Sequence, residues 1–313
     1  MITEKVKKKL QAMKTGHLPQ GEPRNVKPAR ARQTIDQFRI KQQPNYVRQN
    51  DEEVVFKVIF ESKIPLILKG PTGCGKTRFI EYMAHKLDLP LVTVSCHEDL
   101  TAADLVGRFL FKDNETVWQD GPLTLAVRHG GICYLDEIVE ARKDTTVIIH
   151  SLTDDRRLLY IDKTGEVVRA HGNFMMVLSY NPGYQSIVKD LKQSTKQRFA
   201  SLDFRYPSVA VETQIIQTES GLCEDDSRQL AEMGSKIRQL KNFGLAEGVS
   251  SRLLVYVGRL IKGGLAPIQA TKHAISQTLT DESEVLESIQ NIARLYFGDL
   301  MEEPGSEFGK PHG

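Results

Sequence analysis

The chain has 313 residues, of which 40% are hydrophobic and 26% are charged, so it can bury a sizeable core, and its length suggests about two domains. Its net charge is only +2, its four cysteines form no C-x-x-C pair, and no apolar run approaches the length of a membrane-spanning helix. These features argue against a disulfide framework, a zinc site or a membrane span, and the absence of a secretory signal predicts a cytoplasmic protein.

The start of the chain is basic. Residues 1–50 carry 12 Lys and Arg against 3 Asp and Glu. Over residues 1–44 the periodicity is weak apart from a short helical pattern near Lys5–Met13, and prolines interrupt the remainder of this segment. We predict a flexible basic extension over 1–44, although such an arm could also touch nucleic acid or an acidic protein face. The ordered body begins with an amphipathic helical pattern from Val54 to Phe60.

An apolar strand pattern, Ile64–Leu68, leads into a glycine-rich segment that is followed by a helical pattern. The segment fits G-x-x-x-x-G-K-[ST], in which glycines let backbone N–H groups converge on a phosphate. Its residues are Gly70, Pro71, Thr72, Gly73, Cys74, Gly75, Lys76 and Thr77. We predict a nucleotide-binding loop at which Lys76 reaches the β and γ oxygens and Thr77 ligates Mg²⁺.

Four further strand patterns come later in the chain, and the first three of them are nearly continuous apolar runs. They are Leu89–Cys96, Ile132–Asp136, Phe174–Tyr180 and Ser201–Arg205. Strands of this kind, separated by helical segments, indicate a parallel sheet covered on both faces, which is the doubly wound α/β class. Between Ile132–Asp136 and Phe174–Tyr180, an alternating pattern around a Lys-Thr-Gly turn predicts a β-hairpin inserted at 157–169.

Beyond Pro207 the patterns are helical only. They cover Ala210–Ser220, Asp225–Asn242, Ser251–Lys262, Pro267–Leu279 and Glu282–Phe297. We therefore predict a nucleotide-binding core over 45–207, an all-helical second domain over 208–299 and a disordered tail over 300–313.

The strand pattern that begins at Ile132 ends in two acids, Asp136 and Glu137. In a parallel sheet, ligands contact the carboxyl ends of the strands. Asp136 would hold Mg²⁺ through water, and Glu137 would act as general base on the attacking water. Cys96 and Cys133 lie near the ends of adjacent strands, and we interpret them as buried apolar fillers rather than a metal pair.

These motifs, with Asn181-Pro182 at the end of a later strand, resemble those of the AAA+ ATPases. The resemblance implies a P-loop NTPase with a five-stranded αβα core and a helical lid, which hydrolyses ATP with Mg²⁺. Asn181 matches sensor 1, which orients the lytic water.

Two arginines extend the resemblance. Arg198, just before the last strand, matches the arginine finger, which contacts the γ-phosphate bound by a neighbouring subunit and so requires a ring. Arg205 is a second candidate for that role. Arg252 matches sensor 2, which reaches the γ-phosphate in cis from the lid.

The resemblance narrows to the MoxR branch of these ATPases. Leu100–Phe109 and Trp118–Thr124 are similar to its helix-2 insert, and the 157–169 hairpin matches its insertion before sensor 1. Within the branch, the chain from about Asn45 to Phe297 resembles the CbbQ/NirQ/NorQ subfamily. The segments most like it are Lys69–Arg78, Tyr134–Arg142, Tyr180–Ser186 and Asp190–Phe199.

This resemblance implies a hexameric ATPase that works with an adaptor bearing a von Willebrand factor A (VWA) domain. One implied target is Rubisco, whose active sites would be reopened after tightly bound sugar phosphates block them. The alternative target is a nitric oxide or nitrite reductase of denitrification, and we favour Rubisco.

A nucleotide switch without turnover is a rival hypothesis, against which both acids and both arginines argue. A nucleic-acid motor is another, but outside the basic arm the sequence has no basic stripe with interleaved aromatics.

Overall fold

A five-stranded parallel sheet forms the centre of the molecule. The structure is a computed structural model, and it describes residues 34–112, 114–182, 192–240, 245 and 247–298. The described strands are β1 (Leu66–Lys69), β2 (Leu91–Ser95), β3 (Gly107–Lys112), β4 (Glu115–Asp120), β5 (Gly131–Asp136), β6 (Leu158–Ile161), β7 (Glu166–Arg169), β8 (Phe174–Tyr180) and β9 (Ala200–Asp203). In the central sheet the order is β2-β5-β8-β1-β9, and every pair is parallel. The predicted α/β class is confirmed.

Helices cover this sheet and make up the chain beyond it. The described helices are α1 (Glu52–Glu61), α2 (Lys76–Lys86), α3 (Ala102–Val106), α4 (Pro122–His129), α5 (Lys143–His150), α6 (Gln193–Lys196), α7 (Val209–Ser220), α8 (Glu224–Arg238), α9 (Ser251–Lys262), α10 (Pro267–Thr271), α11 (Gln277–Leu279) and α12 (Ser283–Phe297). A π-helical turn, Lys272–Ser276, joins α10 to α11, so the predicted helix over Pro267–Leu279 is a single interrupted one. Within the described ranges, no helix has the length and apolar character needed to cross a membrane.

The central strands bury side chains on both faces of the sheet. In β1, Leu66 and Leu68 join an apolar cluster with Phe56 of α1 and Phe79 of α2. Ile67, between them, points to the opposite face and belongs to a second cluster that includes residues of α4. Because successive strand residues alternate between faces, burial on both sides requires the near-continuous apolar runs seen in the sequence.

The described part of the predicted extension packs on the core. Ile35 and Phe38 lie against one of the two core clusters. Arg39 forms an ion pair of 2.8 Å with Asp88, and the ring of His85 hydrogen-bonds the backbone oxygen of Ile40. Residues 34–44 are thus held on the α/β core by contacts over about 45 residues of sequence. The rest of the predicted extension, including the Lys5–Met13 helical pattern, lies outside the described residues, as does the predicted tail.

Two antiparallel hairpins are inserted into the α/β core. One, β6–β7, is the predicted hairpin, and its turn includes Gly165 at a φ of +64°. The other, β3–β4, lies in a segment for which the sequence predicted no strands. Arg128 of α4 joins them, because its guanidinium donates to Asp120 at the end of β4 and forms a two-pronged pair with Glu166 of β7.

The helices after β9 enclose a third apolar cluster. At its edge, the fully buried carboxylate of Glu212 on α7 accepts two hydrogen bonds, of 2.6 and 2.7 Å, from the guanidinium of Arg238 on α8. Arg238 also donates to the backbone oxygen of Val249 and stacks on the ring of Tyr206, 4.2 Å from its centroid. This ion pair therefore fixes α7, α8 and the segment that precedes α9.

We expect Arg238→Met to lower the free energy of unfolding by about 3–5 kcal/mol, because it leaves the buried Glu212 charge without its partner. Urea denaturation followed by circular dichroism measures the change. The matched control is Arg228→Met on the same helix, whose 3.4 Å pair with Glu224 is exposed and should contribute less than about 1 kcal/mol. Equal effects of the two substitutions would show that the Glu212–Arg238 pair does not stabilise the helical region.

Candidate nucleotide-binding site

The glycine-rich loop connects β1 to α2 and begins that helix. Gly75 is the residue before α2 and has a φ of +103°, which side-chain-bearing residues rarely adopt. Gly73 has a φ of +69°, and a Cβ there would lie 2.5 Å from the Cβ of Ser250 in the helical region. The loop therefore needs glycine at Gly75 for its curvature and at Gly73 for its close approach to the helices beyond the sheet.

Lys76 lies over this loop. Its Nζ donates to the backbone oxygens of Gly70, at 2.8 Å, and Pro71, at 2.9 Å. Both oxygens belong to the loop whose N–H groups the motif uses for a phosphate. The ammonium group is thus held at the rim of the anion-binding loop, and α2 points its positive end toward the same place.

Oxygen ligands for a divalent cation meet at the end of β5. The Thr77 hydroxyl lies 3.4 Å from Oδ2 of Asp136, and both residues line a cavity at this edge of the sheet. A hydroxyl and a carboxylate beside a phosphate-binding loop are the hard oxygen donors that Mg²⁺ prefers, with its remaining positions filled by phosphate and water. The residues present therefore fit a magnesium ion bound together with a nucleotide.

Glu137 comes directly after Asp136 in a strained backbone conformation. Its φ is +55°, in the left-handed region that non-glycine residues rarely occupy. Its N–H donates to the Ser179 hydroxyl on β8 at 3.1 Å, which holds the backbone in this conformation, while its side chain is exposed at the cavity. Such strain is concentrated at functional sites, where surrounding contacts impose it.

Asn181 comes just after β8, beside the glycine-rich loop. Its Nδ2 donates to Oε1 of Glu247 at 2.9 Å and approaches the Thr72 hydroxyl at 3.4 Å. Glu247 precedes α9, so this amide connects the sheet edge to the helical region. Arg252, in the first turn of α9, is exposed and faces the same cavity.

A single cavity of about 630 Å³ brings these residues together. The sequence-predicted residues that line it are Thr72, Gly73, Cys74, Gly75, Lys76, Thr77, Asp136, Glu137, Asn181 and Arg252. It lies between the sheet edge and helices α7 and α9, and it has the size of a small-molecule site.

The two finger candidates lie elsewhere. Neither Arg198 nor Arg205 is among the described residues that line the cavity, and both side chains are exposed. Arg198 comes after α6, where its guanidinium donates to the backbone oxygen of His150 at 3.3 Å. Burial and the charge of Arg198 together lower the pKa of His150, so the imidazole beside this arginine stays neutral near pH 7.

Several cavity residues were not found from the sequence. From the segment before α1 come Asn45, Tyr46, Val47 and Gln49, and from the helical region come Pro207, Ile215, Glu219, Val255, Tyr256 and Arg259. They belong to no motif. Apolar periodicity predicts that Ile215 and Val255 face inward, but it does not distinguish a residue that faces a cavity from one that packs in a core.

Cys74, Cys96 and Cys133 are buried. Burial raises the pKa of the Cys74 thiol and raises the pKa values of Cys96 and Cys133 to about 12. All three are therefore neutral thiols near pH 7, which is the protonation state of a small apolar filler and not of a metal ligand.

Comparisons with known proteins agree with this geometry. A family model described as the AAA domain of the dynein-related subfamily matches residues 65–199, and one described as the CbbQ/NirQ/NorQ C-terminal region matches residues 212–296. Protein CbbQ of Hydrogenophilus thermoluteolus is 54% identical over 84% of this chain and 98% of its own length. Protein NorQ of Paracoccus denitrificans is 53% identical over 82% of this chain and 94% of its own length.

The fold has counterparts among solved structures. A variant of RuvB from Thermotoga maritima superposes with a TM-score of 0.51 at 13% identity, covering 85% of this chain and 76% of that one. At this identity the likeness concerns the fold alone. The two family models and the long matches to CbbQ and NorQ show that the chain is an ATPase of the CbbQ/NirQ/NorQ family, with an AAA nucleotide-binding core.

Proposed function

We propose that this ATPase works in a hexameric ring and uses ATP hydrolysis to remodel a target enzyme through a VWA-domain adaptor. One observation carries the ring: Lys76, Asp136, Asn181 and Arg252 line one cavity, whereas Arg198 is exposed outside it. In a ring, the exposed arginine of each subunit would lie beside the nucleotide cavity of its neighbour and complete it. The family membership supports the adaptor and the target.

In the proposed mechanism, the backbone N–H groups of the glycine-rich loop hold the β-phosphate, and Lys76 exchanges its loop carbonyls for β and γ oxygens. Thr77 and Asp136 would hold Mg²⁺, which when bound would supply positive charge to the phosphate oxygens. We also propose that the helices after Pro207 act as a lid, since α7 and α9 line the cavity.

Glu137 is the proposed general base. Its carboxylate takes a proton from a water molecule as the water oxygen bonds to the γ-phosphorus and the bond to the ADP oxygen breaks. Asn181 orients that water. Its present hydrogen bond to Glu247 means that this amide must exchange a lid contact for the water or the γ-phosphate.

Two arginines stabilise the charge that develops on the phosphoryl group. Arg252 does so from the lid of the same subunit, and Arg198 from the neighbouring subunit. Arg205 remains the alternative finger, because it is also exposed and outside the cavity.

For the target we propose Rubisco, with release of inhibitory sugar phosphates as the activating step, in the cytoplasm. A nitric oxide or nitrite reductase is the alternative. The 53% identity to NorQ supports that alternative nearly as well as the 54% identity to CbbQ supports Rubisco.

We expect Glu137→Gln to lower ATP turnover about 100-fold or more, the usual contribution of a general base, and to leave nucleotide affinity within about threefold. Turnover is measured by phosphate release and affinity with a fluorescent ATP analogue. Glu140→Gln, three residues further along and not among the described cavity-lining residues, is the control and should stay close to the unchanged protein. Normal turnover in Glu137→Gln would remove Glu137 as the base.

Subunit mixing tests the finger in trans. Arg198→Ala rings should bind nucleotide but turn over at least about 100-fold more slowly. Mixing them with equal amounts of Lys76→Ala subunits should restore activity at about a quarter of the pockets, where an intact loop meets an intact finger.

The same mixture made with Arg205→Ala decides between the candidates. If restoration occurs with Arg205→Ala and not with Arg198→Ala, the finger is Arg205. If neither mixture recovers, the pocket is not shared between subunits.

The target is tested by reconstitution. We expect the chain, a VWA-domain adaptor and ATP to restore carboxylation by Rubisco that is blocked with a tightly bound sugar bisphosphate. The Glu137→Gln variant in place of the unchanged chain should restore no carboxylation, because remodelling of the target requires ATP turnover. Failure to restore Rubisco, with activation of a nitric oxide reductase under the same conditions, would reverse our choice of target.

A further inference from the structure

The hydroxyl of Tyr134 contacts two residues of the site, although the proposed reaction does not use it. Tyr134 is two residues before Asp136 in β5, so both side chains project from the same face of the strand. Its ring is fully buried in the cluster that contains Phe79 of α2. Its hydroxyl reaches Oδ1 of Asp136 at 2.8 Å and Oγ1 of Thr77 at 3.2 Å.

The direction of these hydrogen bonds depends on the number of protons available. An ionised carboxylate only accepts, so the single proton of Tyr134 is committed to Asp136. In its contact with Thr77, Tyr134 can then only accept, and Thr77 must donate. The other close contact of the Thr77 hydroxyl is Oδ2 of Asp136, at 3.4 Å, which also only accepts. The Thr77 proton is therefore directed away from the cavity, and the lone pairs of Oγ1 remain for a cation.

A second hydroxyl holds the same carboxylate. The Ser179 hydroxyl on β8 donates to Oδ1 of Asp136 and accepts the N–H of Glu137 at 3.1 Å. Two buried hydroxyls, from Tyr134 and Ser179, thus occupy Oδ1. This leaves Oδ2, the oxygen nearer Thr77, to accept from water bound to a metal ion.

We propose that Tyr134 is a positioning residue of the magnesium site, which turns the lone pairs of Thr77 and the Oδ2 atom of Asp136 toward the metal. The proposal rests on the proposed function, in which Thr77 and Asp136 hold Mg²⁺. Tyr134 acts only through these two residues and does not itself contact metal or nucleotide.

The ordinary interpretation is that a buried tyrosine has simply satisfied its hydroxyl. The test must separate that structural role from a positioning role at the magnesium site.

The test is Tyr134→Phe in the full chain, which removes one oxygen and keeps the ring. The readout is binding of a fluorescent, non-hydrolysable ATP analogue as Mg²⁺ is titrated, so that it does not depend on turnover. We expect binding in EDTA to stay unchanged, and the Mg²⁺ concentration for half-maximal enhancement to rise roughly 10-fold, as for other residues that orient metal ligands.

Tyr82→Phe is the matched control. Tyr82 packs against the same cluster, but its hydroxyl donates to Glu53 of α1 at 3.3 Å, away from the metal ligands. It should leave the magnesium titration unchanged, and thermal melting of both variants shows what each hydroxyl contributes to stability alone. Ser179→Ala, which removes the other hydroxyl that donates to the same oxygen of Asp136, should shift the titration in the same direction as Tyr134→Phe and serves if that variant does not fold.

The outcomes separate this proposal from the one on which it rests. If Asp136→Asn shifts the magnesium titration and Tyr134→Phe leaves it within about twofold of the unchanged chain, Tyr134 is only a satisfied core residue and the proposal is overturned. If Tyr134→Phe does not fold and Ser179→Ala leaves the titration unchanged, the proposal is likewise overturned. If Asp136→Asn has no effect either, the magnesium site itself is wrong.

Discussion

The parallel register of β5, β8 and β1 is the constraint on which the site depends. Lys69, the last residue of β1, lies beside Tyr180, the last of β8, so the glycine-rich loop and Asn181 leave the sheet side by side. β8 also runs parallel to β5, which brings the Ser179 hydroxyl on β8 next to Asp136 at the end of β5. Three chain segments that are far apart in sequence therefore end at one edge, where a phosphate and a cation can be held together.

The helical region supplies the other wall, and its position depends on a buried charge pair. Arg238 and Glu212 fix the segment before α9, through Val249, and this segment contributes Glu247 to Asn181 and Ser250 to the loop at Gly73. A contact so close that glycine is required at Gly73 leaves little space between the loop and the helical region. The buried Glu212–Arg238 pair thus helps to set the position of Arg252 at the cavity.

The sequence predicts those elements whose role in the fold leaves a pattern among neighbouring residues of the chain. Near-continuous apolar runs predict β1, β2, β5 and β8, as expected for strands of a sheet that is covered on both faces. The fifth strand, β9, alternates between half-buried and exposed residues, and the sequence predicts it from the shorter mixed pattern Ser201–Arg205. The β3–β4 hairpin was missed, since its exposed strands alternate weakly and its Trp118 anchor is a single residue. Composition predicts a flexible arm over residues 34–44, whereas the contacts that hold them, such as Arg39 with Asp88, join positions distant in sequence.

The site divides in the same way. Residues that take part in a chemical motif, such as Lys76 and Asp136, can be named from spacing. Tyr134 cannot, because within β5 it has the pattern of one more apolar strand residue, and only the fold shows that its hydroxyl contacts both Thr77 and Asp136. The same β5 is packed against α4, whose Arg128 holds both inserted hairpins. The strand that bears the acids of the site is therefore one helix away from the two surface hairpins, through contacts that no local pattern encodes.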